Sequence, residues 1–257
     1  MQFNRRDILK VGLALGVTPV WASSVDKIQT RPIPASGEPL PIIGLGTSQT
    51  FDVWGWPWET WSRRDLIDRF VERGASVIDT SPQYGTSEKI VGKVIEATES
   101  RSDLFIATKV WTDGKAAGEE QMRQSAELMH ADTIDLMQVH NMRDLDVHMA
   151  TIREWQQERR VRYSGITHWQ ASAFDEMMAA MKKHEPQFIQ INYSLGEREV
   201  EQRVLPMAKD MGIAVLINRP YMRGKLFGAV KGLNLPDWAE EFANSWGQFF
   251  LKFVLSH

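Results

Sequence analysis

Four polar side chains each close a short apolar run in the sequence. They are Asp79, Lys109, His140 and Gln190. If the runs are parallel strands of a barrel, their carboxyl ends meet at one rim, where barrel enzymes have their active sites. Taken singly, Asp79 is explained as a turn cap, Lys109 as a solvated charge and His140 as a packed histidine. Taken together, they predict a site that can transfer protons and orient a polar substrate.

The apolar runs recur at a spacing typical of βα units. Successive candidate strands start 25 to 34 residues apart, with helix-period segments between them. This alternation predicts a parallel sheet with helices outside it. The strands start near Ile42, Ser76, Leu104, Ile134, Arg162, Phe188 and Ile213. The helices are expected within residues 64–74, 87–97, 119–130, 145–160, 171–184, 199–211 and 238–255.

Two architectures fit such a sheet, a closed barrel and an open doubly wound sheet. The open sheet would need a dinucleotide fingerprint after the first strand. The segment Gly44-Leu45-Gly46-Thr47-Ser48-Gln49 has Gln49 where the third glycine of that fingerprint should be. The convergent polar strand ends instead favour an α/β fold of the (β/α)₈ TIM-barrel type.

The residues around these strand ends resemble the aldo-keto reductase family. The resemblance rests on residues 44–47, 77–85 with Ser87-Glu88, 107–109 and 136–141, and it extends from about Ile42 to the C-terminus. Its most specific part is Asp79 followed by Tyr84-Gly85 and Ser87-Glu88. The resemblance implies a (β/α)₈ barrel that reversibly reduces aldehydes or ketones with NADPH, NADH being the alternative donor. It implies a catalytic tetrad of Asp79, Tyr84, Lys109 and His140.

The chemistry of carbonyl reduction gives each member of this tetrad a role. A hydride must reach the carbonyl carbon and a proton must reach the oxygen, for which Tyr84 is the expected donor. A phenol is a weak acid, with a pKa of about 10, and a nearby Lys109 ammonium should lower that pKa. Asp79 should hold Lys109 charged and oriented. His140 should hydrogen-bond the carbonyl oxygen and polarise it.

The resemblance also implies cofactor contacts. Gln190 and the Thr167-His168 pair, which stands where the family has Ser-Asn, would bond the nicotinamide carboxamide. After the seventh strand, where many members carry an aromatic residue that stacks on nicotinamide, this chain has Leu216-Ile217-Asn218-Arg219-Pro220. Asn218 and Arg219 either line the cofactor channel or are a loop residue and a surface charge. The expected cofactor-binding residues are Gly46, Thr47, Asp79, Thr167, His168, Gln190, Asn218 and Arg219.

Aromatic residues point to the substrate side of the rim. Four of the ten tryptophans lie within residues 54–61, directly after the first strand. This segment either faces an apolar or ring-bearing carbonyl substrate or packs as a plug on its own barrel. We expect Trp54, Trp111 and His140 to line the substrate pocket.

Composition excludes several other classes of function. The formal net charge is −3, which gives no electrostatic footprint for nucleic acid. The chain has no cysteine, which excludes disulfides, thiolate zinc sites and iron–sulfur clusters. The histidines lack metal-ligand spacing, and neither a Gly-x-Ser-x-Gly elbow nor a Walker motif occurs. No apolar stretch is long enough to predict a membrane-spanning helix.

The N-terminus predicts export. Arg5-Arg6 precedes an apolar run, Val11 to Val17, and small residues end at Ala22. This order resembles a twin-arginine signal, the alternative being an amphipathic helix of a cytosolic protein. We therefore expect a signal peptide at residues 1–22, a lead at residues 23–40 and the barrel domain at residues 41–257. The twin-arginine export machinery would be a partner, and the mature protein would be periplasmic.

The strand count is one short of a complete barrel. Seven candidate strands are found, and an eighth βα unit would need roughly another 25 to 35 residues. We therefore expect a barrel truncated after its seventh unit. Two functions then compete: an exported aldo-keto reductase represented without its last unit, and a non-catalytic barrel that acts as a binding module.

Overall fold

A short antiparallel hairpin opens the structure. The computed structural model describes residues 27–98 and 101–256. The hairpin pairs β1 (Thr30–Pro32) with β2 (Pro39–Pro41). The sequence predicts only a lead at residues 23–40 and no strands in it. The prolines argue against strands in a prediction from sequence, because proline is uncommon in strands. It is tolerated on edge strands, which is where these prolines lie.

A parallel sheet of seven strands follows the hairpin and curves into a nearly closed barrel. The strands lie side by side in sequence order, which confirms the predicted barrel-type α/β fold. Each observed strand starts within about two residues of its predicted position. The strands are β3 (Gly44–Gly46), β4 (Val77–Asp79), β5 (Phe105–Val110), β6 (Ile134–His140), β7 (Val161–His168), β8 (Phe188–Asn192) and β9 (Ala214–Asn218).

Helices connect the strands and cover the outside of the sheet. Three of them differ most from the expected bounds. The first starts earlier, at Pro57, because proline is favoured at the first position of a helix. The Trp56 N–H, just before it, donates to Glu59 Oε2 (2.8 Å) and stabilises this start. The helix expected over 199–211 is interrupted at Arg203. The helix expected over 238–255 begins later, at Trp246, where the hydroxyl oxygen of Ser245 accepts the Gln248 N–H (3.3 Å) and so caps the helix. The helices are α1 (Pro57–Glu72), α2 (Ser87–Glu96), α3 (Lys115–Leu128), α4 (Leu145–Gln157), α5 (Phe174–His184), α6 (Val204–Asp210), α7 (Lys225–Ala229) and α8 (Trp246–Leu255).

Alternation along the strands separates two apolar clusters. Alternate residues of β4 to β8, such as Val77, Phe105 and Phe188, point into the barrel, where they form a small inner cluster. Their neighbours point outward and form a larger cluster with the helices. The inward positions nearest the carboxyl ends of the strands are polar instead. The alternation of side chains therefore places the polar residues of several strands together at one rim of the barrel.

The hairpin closes the opposite end of the barrel. Ile33, in its loop, is 1% exposed and belongs to the inner cluster. The Tyr163 hydroxyl donates to Glu38 Oε2 (2.6 Å) and contacts Ser36 Oγ (2.7 Å), while Arg162 pairs with Glu38. These contacts bury the floor of the barrel, so the polar rim is the accessible end.

The strands β3 and β9 form the two edges of the sheet, and among the described residues no strand pairs between them. The predicted count of seven strands is confirmed. The predicted signal peptide, residues 1–22, lies outside the described residues. Within the described part of the chain, we find no helix with the length and apolarity needed to cross a membrane.

Candidate active site

A buried ion pair lies at the centre of the rim. Lys109, on β5, is 0% exposed, and its Nζ donates to Asp79 Oδ1 (2.8 Å) and Oδ2 (2.9 Å) at the end of β4. A third bond runs from Nζ to the Thr80 carbonyl oxygen (2.7 Å). Burial alone would lower the pKa of Lys109, but Asp79 and Tyr84 raise it above its ordinary value. The lysine is therefore held as an ammonium.

Tyr84 lies against this ammonium. Lys109 Nζ is 5.0 Å from the centroid of the Tyr84 ring. Burial raises the pKa of the Tyr84 phenol above its ordinary value, although Lys109 acts to lower it. The sequence predicts the opposite direction, a pKa lowered by Lys109. The direction is reversed because the loss of water around the phenolate outweighs the attraction of the ammonium.

The turn that carries Tyr84 is fixed by the loop after β3. Gly85 has φ +59°, and a Cβ at this position would lie 2.2 Å from Asp52 Oδ1. The same carboxylate oxygen accepts the backbone N–H of Thr86 (3.0 Å) and contacts its hydroxyl (3.1 Å). Only glycine fits between these groups. Gly85 and Asp52 thus hold the tyrosine beside Lys109.

His140 completes the group at the end of β6. Its ring is perpendicular to the Tyr84 ring, with 6.0 Å between centroids, and its Nδ1 lies 3.1 Å from Ser81 Oγ. Burial, with Lys109 and His168 adding repulsion, lowers the pKa of His140 to about 3. The imidazole is therefore neutral at neutral pH. The next residues, Asn141 and Met142, have positive φ, which marks a strained turn at the rim.

The structure brings together all four residues of the predicted tetrad and adds supporting groups that sequence reasoning missed. Gln138 Nε2 donates to Asp79 Oδ1 (3.2 Å), and Ser81 contacts His140. Gln138 lies two residues before His140, so strand alternation places both on the inner face. That spacing is a sequence signal for Gln138, whereas nothing in the spacing indicated Ser81.

Glu88 supports the site from outside the barrel wall. It lies in the first turn of α2, is 4% exposed and accepts a bond from Thr108 Oγ1 (2.5 Å), next to Lys109. Burial raises the pKa of Glu88 above its ordinary value. This contact ties the strand of the buried lysine to the helix that follows Tyr84.

The expected cofactor residues occupy the rim from β3 to β9. Thr167 Oγ1 donates to Gln190 Oε1 (3.2 Å), and both residues are buried. His168 Nδ1 accepts the Gln170 N–H (3.1 Å). The Arg219 guanidinium lies 4.2 Å over the Trp169 ring, and Arg219 has φ 54°.

Several rim atoms are buried without a hydrogen-bond partner among the residues described. They include Thr47 Oγ1 next to Gly46, Asn218 Oδ1 at the end of β9, and Ser194 Oγ. Hydroxyls and amide oxygens that lack partners are groups that a polar ligand can satisfy. The rim therefore has hydroxyl and amide oxygens that can form hydrogen bonds with a bound ligand.

The two tryptophans expected in the substrate pocket differ in exposure. Trp111 is half-buried at the end of β5, and the Arg143 guanidinium lies 4.3 Å over its ring. Trp54 is 91% exposed, and Trp56, Trp58 and Trp61 are also exposed. The segment is therefore not a buried plug. Its role toward substrate stays a prediction.

Comparison with known proteins decides the family. The model of the aldo/keto reductase family matches residues 42–245, which is most of the chain. The chain belongs to the aldo/keto reductase family. Among curated relatives of this aldo/keto reductase, the Bacillus subtilis protein YhdN is 31% identical over 204 residues, covering 72% of this chain and 60% of that protein. The protein Str7 of Strobilurus tenacellus is 28% identical, covering 66% of this chain and 53% of its own length. The chain thus spans less than two thirds of these relatives.

Solved structures show the same fold. An aldo/keto reductase of Klebsiella pneumoniae, in complex with NADP and acetate, superposes with a TM-score of 0.76 at 21% identity. That match covers 90% of this chain and 82% of the other. The holo form of AKR11C1 from Bacillus halodurans gives a TM-score of 0.69 at 23% identity, covering 90% and 83%. At these identities the likeness establishes the barrel fold.

Proposed function

We propose that this aldo/keto reductase reduces an aldehyde or ketone to an alcohol with hydride from NADPH, NADH being the alternative donor. The observation that carries the proposal is the buried Lys109–Asp79 pair beside Tyr84, with a neutral His140 whose ring is perpendicular to the phenol ring. A proton donor, a cation that stabilises its conjugate base and a neutral hydrogen-bonding group are what carbonyl reduction requires.

Tyr84 supplies the proton. Its raised pKa keeps the phenol protonated at neutral pH, which is the form a donor must have. As the carbonyl oxygen gains negative charge, the phenol O–H bond breaks and the proton moves to that oxygen. The phenolate left behind is stabilised by the Lys109 ammonium, which Asp79 keeps charged. The low dielectric around Lys109 strengthens this stabilisation.

His140 positions the carbonyl group. Because Ser81 engages Nδ1, Nε2 is the nitrogen left to contact a carbonyl oxygen. With a pKa of about 3, the ring is a neutral donor, so it polarises the carbonyl without competing with Tyr84 for the proton transfer. One neutral imidazole and one phenol then converge on the same oxygen.

The rim fits a nicotinamide cofactor. When bound, the cofactor supplies the hydride that reduces the carbonyl carbon and is itself oxidised. The unpartnered Thr47 Oγ1 and Asn218 Oδ1 offer bonds to polar groups of such a ligand. The residues that would hold it are Gly46, Thr47, Asp79, Thr167, His168, Gln190, Asn218 and Arg219. Arg219, with its guanidinium braced on Trp169, supplies positive charge for an anionic cofactor.

The substrate side of the rim is aromatic. Trp111, steadied by Arg143, and the exposed Trp54 favour an apolar or ring-bearing carbonyl compound.

Cofactor binding and turnover test the proposal. NADPH fluorescence is titrated with the full chain, and NADPH oxidation is followed with a panel of aromatic and aliphatic aldehydes and ketones. We expect saturable binding and oxidation that requires a carbonyl compound. Absence of binding at millimolar NADPH would refute the proposal and favour the alternative, a barrel that acts as a binding module.

We propose in addition that the protein is exported through the twin-arginine pathway and acts in the periplasm. The support is the ordered pattern of Arg5-Arg6, the apolar run and the small residues up to Ala22. Fractionation of cells that produce the wild type and a variant with lysines at positions 5 and 6 tests this. Cytoplasmic wild-type protein with residues 1–22 intact would contradict it.

A further inference from the structure

The amide of Gln138 contacts the carboxylate that holds the buried lysine. Gln138 is 0% exposed, and its Nε2 donates to Asp79 Oδ1 (3.2 Å). That oxygen also accepts from Lys109 Nζ (2.8 Å), while Oδ2 accepts from Nζ (2.9 Å) and from no other group of residues 27–98 and 101–256. The bond from β6 therefore restrains the carboxylate in the orientation that presents both oxygens to Lys109.

The orientation of this amide is set by charge. Rotating the amide by half a turn would place Oε1 against the Asp79 carboxylate, and two acceptors repel each other. In the observed orientation, Oε1 is buried and has no partner among the residues described. A buried acceptor without a donor is unfavourable. An apolar side chain would avoid that cost, so stability alone does not account for a glutamine here.

The neighbouring strand leaves room for the amide. Lys109, Gln138 and Gly165 are register partners across β5, β6 and β7. A Cβ on Gly165 would lie 2.9 Å from Gln138 Cγ and 3.3 Å from the Phe188 carbonyl oxygen. Glycine at 165 thus permits the side chain of Gln138 to lie in the same layer of the barrel as Lys109.

We propose that Gln138 is a positioning residue for carbonyl reduction, which acts by holding Asp79 with both carboxylate oxygens on Lys109. The inference rests on the proposed function. Without the Nε2 bond the carboxylate turns more freely, and the ammonium is held less firmly beside Tyr84. Proton transfer then slows, while the contacts that His140 and Trp111 make with the substrate are unchanged.

The decisive variant is Gln138→Met, which keeps the length of the side chain but removes the donor. We expect kcat to fall about tenfold, the rate equivalent of one hydrogen bond to a charged group, with KM unchanged. The melting temperature should stay the same or rise, because the unpartnered Oε1 is gone. The alkaline limb of the pH–kcat profile should move to higher pH, because a loosened ammonium lowers the pKa of Tyr84 less.

Two further variants sharpen the experiment. Met137→Leu changes the adjacent residue, which faces the outer cluster, and should leave kcat and the alkaline limb unchanged. If Gln138→Met does not fold, Gln138→Asn tests the inference instead. The asparagine side chain retains an amide but is too short to reach Asp79, so this variant should show the same fall in kcat.

Two results would overturn the inference. One is a wild-type kcat and alkaline limb in Gln138→Met or Gln138→Asn. The other is a lower melting temperature and a smaller yield of folded protein, with the alkaline limb of the pH–kcat profile at its wild-type position. That result would identify Gln138 as a purely structural residue. Failure of the proposed function is detected separately, because the wild type itself would then show no saturable NADPH binding and no carbonyl-dependent NADPH oxidation.

Discussion

Removing the charge of Asp79 should destabilise the fold strongly and in a pH-dependent way. In Asp79→Asn, the ammonium of Lys109 stays at 0% exposure but loses the ion pair to both carboxylate oxygens. Breaking a buried pair by removing one partner costs about 3–5 kcal/mol. Of the three hydrogen bonds from Nζ to Asp79 and Thr80, the one to the Thr80 carbonyl is independent of the Asp79 carboxylate. We therefore expect a loss in that range at neutral pH.

The pH dependence follows from the pKa of Lys109. In the wild type this pKa is raised in the folded state, so the stabilisation is complete below the unfolded value of about 10.4 and is lost only as pH rises through the folded pKa. In Asp79→Asn, burial, which is the largest influence on the Lys109 pKa, is opposed mainly by Tyr84 and lowers the folded pKa. The unfolded chain then binds more protons between the two values, and the stability of the variant rises with pH. The difference in free energy of unfolding between the wild type and Asp79→Asn should therefore become smaller as the pH rises.

Urea unfolding at pH 7 and pH 9, followed by circular dichroism, measures both effects. Asp65→Asn is the matched control, because Asp65 forms an exposed pair with Arg69 (3.0 Å) on α1, and such pairs contribute little. It should unfold like the wild type. Equal stability of Asp79→Asn and wild type at pH 7, or a deficit independent of pH, would refute the reasoning.

Two other predictions follow from the helix packing and from His140. In Gly92→Ala the new Cβ would lie 1.8 Å from the Leu128 carbonyl oxygen, so α2 and α3 must separate, and we expect a loss of about 3 kcal/mol in urea unfolding. Gly228→Ala, whose Cβ meets nothing within 4 Å, should not destabilise, and equal behaviour of the two variants would contradict this packing. Because the pKa of His140 is about 3, its ring should show no NMR titration between pH 5 and 8 and should add no inflection to kcat/KM there. A ring titration near the ordinary value of about 6.5 would show that the ring is not desolvated. Since the folded pKa is the lower one, this histidine should reduce stability as pH falls below about 6.5.

Strand positions could be predicted from the sequence because their signal is local. Alternating apolar residues ending in Asp79, Lys109 or His140 mark both the strand and the face that reaches the rim. The same alternation would have indicated Gln138. The β1–β2 hairpin was missed because its prolines depart from strand preferences, and because it packs on the barrel through residues far apart in the chain, such as Tyr163 and Glu38.

The electrostatic state of the site could not be predicted from residue types. Lys109 and Tyr84 in proximity suggest a lowered phenol pKa, and only the depth of burial shows that desolvation dominates. Likewise, the Trp-rich segment was compatible with a plug until the exposure of Trp54, Trp56, Trp58 and Trp61 was known. Burial is a property of the folded chain, so residue identity alone gives neither its amount nor its sign.

The rate of carbonyl-dependent NADPH oxidation by Tyr84→Phe tests the central claim most directly. Loss of the proton donor should lower kcat by about 10²- to 10⁴-fold, while NADPH fluorescence still reports binding. Tyr163→Phe, which removes a hydroxyl bonded to Ser36 and Glu38 at the far end of the barrel, is the matched control and should keep its activity. Reduction by Tyr84→Phe at the wild-type rate would contradict the account.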